Sequence, residues 1–164
     1  MRRLLILILF ALLLVPAAAH GAGSPGIVIS QVYAGGGNTG ATYANDFVEL
    51  LNTNATAVSL DGWSLQYASA ASTSWSVTAL SGTVQPGRYF LVGLASSGAI
   101  GAALPAADDT GTTNMAVSGG KVALVHDTSP LACGATAGSC AGDADLVGYG
   151  TATDYEGAAA APVG

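Results

Sequence analysis

The sequence predicts an all-β domain, an antiparallel sandwich or partly closed barrel, preceded by a cleavable signal peptide. Three observations carry this. Short apolar runs recur, most of them alternating with period two. Clusters of Gly, Pro, Asn, Asp and Ser separate them, so each run reads as a strand. After the N-terminal leader no segment carries a 3.6-residue apolar stripe, which leaves no crossover helix for a parallel α/β fold.

The elements follow in order. Arg2 and Arg3 precede an unbroken apolar run over 4–15; Pro16 ends it, and Ala17, Ala18 and Ala19 supply the small residues of a cleavage site. That is the pattern of a secretory signal peptide over 1–19. The run is roughly a dozen residues, short of the ~20 a membrane span requires. A short segment, 20–25, leads into the domain. Residues 27–33 are rich in β-branched side chains and form the first expected strand. Residues 46–51 form a second. Trp63, Leu65 and Tyr67 alternate with Ser64 and Gln66, which places the aromatics on the inner face and the polar residues outside. Residues 74–79 alternate in the same way. A Pro86-Gly87 turn starts a run over 88–94, a Ser118-Gly119-Gly120 turn starts 121–126, and 146–149 is the last short strand. Residues 95–113 read as a long loop. The alanine-rich 151–164 reads as a tail, linker or truncation point, so the domain proper is expected over 26–150.

Cleavage after Ala19 leaves 145 of the 164 residues, enough for one core. Arg88 and Lys121 then face ten acidic residues, for a net charge of −8. Two cations cannot supply the counterion release that drives nucleic-acid binding, so no direct nucleic-acid contact is expected. No membrane association is expected after cleavage, and the chain is read as secreted or cell-surface. Cys133 and Cys140, seven residues apart in a Gly/Ala/Ser loop of an exported chain, are expected to form a local disulfide.

Gly35, Gly37 and Gly40 spell G-x-G-x-x-G after a strand. A dinucleotide site needs a helix next, whose N-terminus holds the pyrophosphate. Here a short β-compatible run follows, stopped by Asn52-Thr53-Asn54, and Asp61 sits in a Leu-Asp-Gly-Trp turn, away from any strand end where a ribose-binding acid belongs. The loop therefore reads as a strand-to-strand connection in which glycine supplies positive φ, and no cofactor is expected.

Read together, "ISQVYAGGGNTGATYANDFVELLN", "AVSLDGWSLQY", "TSWSV", "VQPGRYFLVG", "SGGKVALVHD" and "DLVGYG" resemble the lamin-tail domain in its bacterial secreted form. The resemblance covers about 26–150. It implies an immunoglobulin-like β-sandwich, without catalytic residues, that serves as an accessory module of exported proteins, often beside nuclease or phosphoesterase domains. Carried onto this sequence, Trp63 and Tyr67 are core residues, Gly62 makes a turn, Asn45 and Asp46 close a loop, and Phe47 and Glu49 belong to the N-D-F-x-E-L strand. Similar domains continue past the DLVGYG strand into a closing strand; this chain runs into a linker-like tail, so the sandwich has one strand fewer or the chain is a fragment.

Other constellations are weaker. His126-Asp127 has no G-x-S-x-G elbow to complete a triad and reads as a strand end. Asp108, Asp109, Asp143 and Asp145 lie in loops as calcium candidates, but calcium needs six or more oxygens and no twelve-residue loop pattern is present. Trp63, Tyr67 and Trp75 are candidates for a carbohydrate platform. Asn54-Ala55-Thr56 matches the glycosylation sequon. The sequence thus reads as a non-catalytic binding or scaffolding module whose partner is a protein or extracellular polymer. Its alternatives are the N-terminal accessory domain of a larger extracellular nuclease or phosphoesterase, and an adhesion or carbohydrate-binding module.

Overall fold

A computed structural model of the chain describes residues 26–140 and 145–163. The segment 1–19 expected to be a signal peptide, the 20–25 segment and Asp143 lie outside them. The described residues hold ten strands: β1 (Ile27–Tyr33), β2 (Phe47–Asn52), β3 (Val58–Ser59), β4 (Ser64–Ser69), β5 (Ser76–Ala79), β6 (Thr83–Val84), β7 (Tyr89–Gly93), β8 (Asp109–Thr110), β9 (Gly119–Val125) and β10 (Asp145–Gly150). They assemble as two four-stranded sheets, β1-β2-β7-β8 and β10-β9-β4-β5, with a small β3-β6 ribbon. This is an immunoglobulin-like β-sandwich, and no helix occurs among the described residues.

The main core fills the space between the sheets. Ile27, Val48, Leu50, Phe90 and Val92 come from one sheet, and Leu65, Val122, Leu124 and Tyr149 from the other. Trp63 belongs to this core, and Tyr67 packs against it, half-buried. Burial of this kind is worth about 1.5–3 kcal/mol for each large apolar side chain.

Three short strands were not foreseen. β3, β6 and β8 have two residues each, too few to show a period. β8 falls in the stretch read as a loop, and it pairs with β7 in parallel, the exception in otherwise antiparallel sheets. The β3-β6 ribbon is held by Asn52, whose Nδ2 donates to Thr56 O (2.9 Å) and Val84 O (2.8 Å).

Ser64 and Gln66 overturn the expected inside–outside alternation of β4: both are fully buried. The segment after β9 folds back over the outer face of the β10-β9-β4-β5 sheet. There Ala68, Trp75, Ala123, Val125, Cys140 and Leu146 form a second core, with Leu131 and Cys133 packed on it. Gln66 serves as the polar anchor of this cover. Its Nε2 donates to Ser129 O and its Oε1 accepts from Leu131 N–H, both at 2.9 Å.

The disulfide is present, with Cys133 and Cys140 joined at a Cα separation of 5.3 Å. It closes a loop of seven intervening bonds in sequence. Because so short a loop removes little chain entropy from the unfolded state, reduction is expected to lower stability by about 2 kcal/mol. Urea unfolding with and without a phosphine reductant measures this, and an unchanged midpoint would contradict it.

The tail read as a linker docks instead. Asp154 is fully buried. Its carboxylate accepts from Gly138 N–H (2.7 Å), Ser139 Oγ–H (2.8 Å) and Cys140 N–H (2.9 Å). Ala161 then bridges Tyr149 on the edge of β10. Alanine-rich composition suggests a linker, but a small-residue segment fits against a sheet edge, where Asp154, Thr153 and the Ala161 main chain fasten it.

Candidate functional site

Two regions concentrate polar groups. The first is the glycine loop. Gly35, Gly37 and Gly40 have φ of 89°, 78° and 85°, conformations that side-chain-bearing residues avoid. Gly36 is required for another reason: a Cβ there would run into the Asn45–Asp46 peptide. The loop leads into β2, with no helix N-terminus to receive a pyrophosphate. Its backbone wraps the Asp46 carboxylate, which accepts from Gly36 N–H through Oδ1 (2.7 Å) and from Met115 N–H through Oδ2 (2.6 Å). Asn45 Nδ2 donates to Leu94 O (2.9 Å). Asp46 is fully buried, and that burial holds its carboxyl above the ordinary range even though the backbone donors pull it down. Beside it Tyr33 stacks on Phe47 at 5.2 Å, and Tyr43 meets both rings edge-on. The Tyr33 hydroxyl accepts from Thr42 N–H (2.9 Å) and Tyr43 N–H (3.2 Å). Asn45 and Asp46 thus sit where three loops meet, at the turn into β2.

The second region lies under the disulfide cover. Lys121, fully buried on β9, donates through Nζ to Gly134 O (2.6 Å), Ser72 O (2.7 Å) and Thr153 Oγ1 (3.3 Å). Its ammonium lies 5.8 Å from the centroid of the Trp75 ring. Burial lowers its pKa, while the charge of Asp154 acts in the opposite sense. Lys121 was read simply as one of two cations. Its neighbours in sequence are apolar, and only the cover reveals its role.

The remaining predicted residues separate. Asp108 Oδ2 accepts from Leu91 N–H (2.8 Å), and Asp109 Oδ2 from Ser81 N–H (2.9 Å). Asp108 precedes β8 and Asp109 opens it. Asp145 lies on β10, in the other sheet, where Oδ2 accepts from Ile29 N–H at 2.5 Å. The described calcium candidates therefore do not converge. Glu156 Oε2 accepts from Leu146 N–H next to Asp145, and burial raises the pKa of both carboxyls. His126 stacks on Trp63 with ring centroids 4.6 Å apart, and Asp127 Oδ1 accepts from Ser129 N–H (2.7 Å). Those Ser129 bonds hold the Asp127 carboxyl below its usual range. Gly62 has φ 84° in the turn before β4, and Glu49 on β2 accepts from Ser30 Oγ–H (2.8 Å). Trp75, offered as part of a carbohydrate platform, is buried, and its Nε1–H donates to Cys133 O (2.9 Å). Trp63 is buried too, so neither indole presents a face for stacking a sugar.

Among the described residues no buried side-chain nitrogen or oxygen lacks a hydrogen-bond partner. The buried polar groups are engaged in fastening loops to sheets. The two-sheet sandwich thus carries loops that are fastened to its sheets. The Lamin Tail Domain matches residues 20–144, and the chain belongs to this family of non-catalytic immunoglobulin-like domains. The match ends just before β10, the outer strand of its sheet. A search of curated proteins found no match.

Proposed function

We propose that this chain is a non-catalytic binding or scaffolding module of an exported protein. The observation that carries this reading is the use of its buried polar groups. Asp46 and Asn52 hold loop backbone beside β2, and Lys121, Asp154 and Gln66 hold the segment after β9, which ties the sandwich down and leaves its edges to meet a partner. Catalysis would need a nucleophile, base and orienter in mutual reach, whereas His126 is stacked on Trp63 and Asp127 caps its own turn. The disulfide is compatible with an extracytoplasmic location.

The test is an assay of the purified protein on single-stranded DNA, RNA and a chromogenic phosphodiester with Mg²⁺, Mn²⁺ or Ca²⁺. Background rates are expected throughout. Metal-dependent turnover that disappears in His126→Ala would overturn the reading.

A further inference from the structure

The two sheets leave an open seam. β1 is the outer strand of one sheet and β10 the outer strand of the other. A groove of about 770 Å³ lies between them, and the glycine loop and Ala161, Pro162 and Val163 complete its lining.

Its lining carries no formally charged side chain, in a chain whose net charge is −6. Val32, Val117, Val147 and Val163 contribute apolar surface, and Val117 and Val163 are 52% and 50% exposed. β1 itself is seven residues long, IVISQVY, without charge or proline. Proteins usually blunt an outer strand with Lys, Pro or a bulge, because its free N–H and C=O groups invite another strand. Here a register shift between Ile29 and Gln31 is the blunting device present, and Asp145 meets the Ile29 N–H.

The facing edge already accepts an extended residue by main-chain pairing. Ala161 pairs in parallel with Tyr149; its N–H donates to Gly148 O and its C=O accepts from Gly150 N–H, both at 2.8 Å. The segment seated there, Ala161-Pro162-Val163, is small, apolar and uncharged. The seam thus shows which chemistry it takes: main-chain hydrogen bonds for attachment, and small uncharged side chains against the groove wall.

We propose that the remaining edge of this groove, β1, receives an extended, uncharged, β-branched polypeptide segment of a partner protein by strand addition. Main-chain pairing supplies affinity and the side-chain alternation supplies selectivity. An acidic segment would give up its hydration against a lining that carries no charge, in a chain of like overall sign. A basic one would give up its hydration in a groove that offers no counter-charge. The proposal rests on the binding-module reading and names the surface and partner class for it.

The experiment titrates isotope-labelled protein with two capped hexapeptides, one alternating Thr and Val, the other with each Thr replaced by Glu. Saturable amide shifts are expected for the uncharged peptide across 29–33 and at Val117, with the acidic peptide at least about tenfold weaker. Gln31→Lys and Val117→Asp, both at exposed positions, are expected to weaken binding about tenfold with the melting temperature unchanged. The proposal is overturned by no shift at millimolar peptide, by equal binding of both peptides, or by binding that neither substitution affects. It is equally overturned if the same amides shift with protein concentration alone, which would make the occupant a second copy, or with a soluble glycan instead of peptide. Any of these outcomes leaves the non-catalytic reading standing; that reading falls to turnover in the hydrolysis assay.

Discussion

Lys121→Ala is expected to destabilise the protein by about 4 kcal/mol, the combined cost of a cavity and of buried acceptors that lose their donor. The lysine is fully buried, and its ammonium is the shared donor to Ser72 O, Gly134 O and Thr153 Oγ1. These acceptors come from three separate segments: the β4–β5 connection, the disulfide loop and the tail. Lys121→Met retains most of the stem's volume but no donor, so it should recover only the cavity part, about 1–2 kcal/mol. The damage should also be local in character. With the cover loosened, reduction of Cys133–Cys140 by dithiothreitol should proceed faster in both variants under conditions where they remain folded. Urea midpoints together with reduction rates check this. A Lys121→Met protein as stable as the parent, or with an unaltered reduction rate, would show that the cover is held by its apolar contacts alone.

Asp46 is the second position with a large expected effect. Asp46→Ala should cost about 3 kcal/mol, because Gly36 N–H and Met115 N–H both lose a charged acceptor inside the fold. Asp46→Asn should cost less but still more than 1 kcal/mol, on the order expected for one buried donor left facing another. An amide has a single oxygen, whereas the two carboxylate oxygens here each serve a different loop. The pH dependence has a definite sign. Burial raises the carboxyl's pKa in the folded state, so the native chain holds that proton more tightly than the unfolded chain does. The resulting stabilisation is complete below an unfolded carboxyl pKa of about 4 and is lost as pH rises through the folded value. Asp145 and Glu156, also raised by burial, act in the same sense. Stability measured between pH 4 and 7 should therefore decline less steeply in Asp46→Asn than in the parent. An equal slope in the two would show that Asp46 does not titrate in that window.

Much of the framework was legible in residue order. The longer strands fall close to where period-two runs and Gly- or Pro-containing turns placed them, because alternation is a local consequence of strand geometry. The N-D-F-x-E-L and L-D-G-W segments pointed to the family, and the spacing of Cys133 and Cys140 to their bond. Trp63 as a core residue followed from the same alternation. Besides the short strands and the docked tail, the reading failed on β4. Ser64 and Gln66 look like the solvent face of a strand, and they would be so in a sandwich whose outer face is bare. Instead a Gly/Ala/Ser-rich loop, with no periodicity to reveal it, lies over that face and turns a hydrophilic stripe into a hydrogen-bonded anchor. Trp75 looked equally available to a sugar and is covered by the same loop.

By itself the sequence determined the all-β class, the main strands, the disulfide and the family, since each of these depends on patterns within a few residues or on a motif read in order. Only the tertiary structure decided which charges are buried, which loop covers which sheet, and which edges stay open. A fully buried lysine, a carboxylate wrapped by two loops and a tail docked on β10 depend on backbone that arrives from far along the chain. Lys121 and Ser72 are 49 residues apart, and Asp46 and Met115 are 69. No local pattern encodes such meetings. They arise because each buried polar group must find its partner wherever the folded backbone brings one within reach.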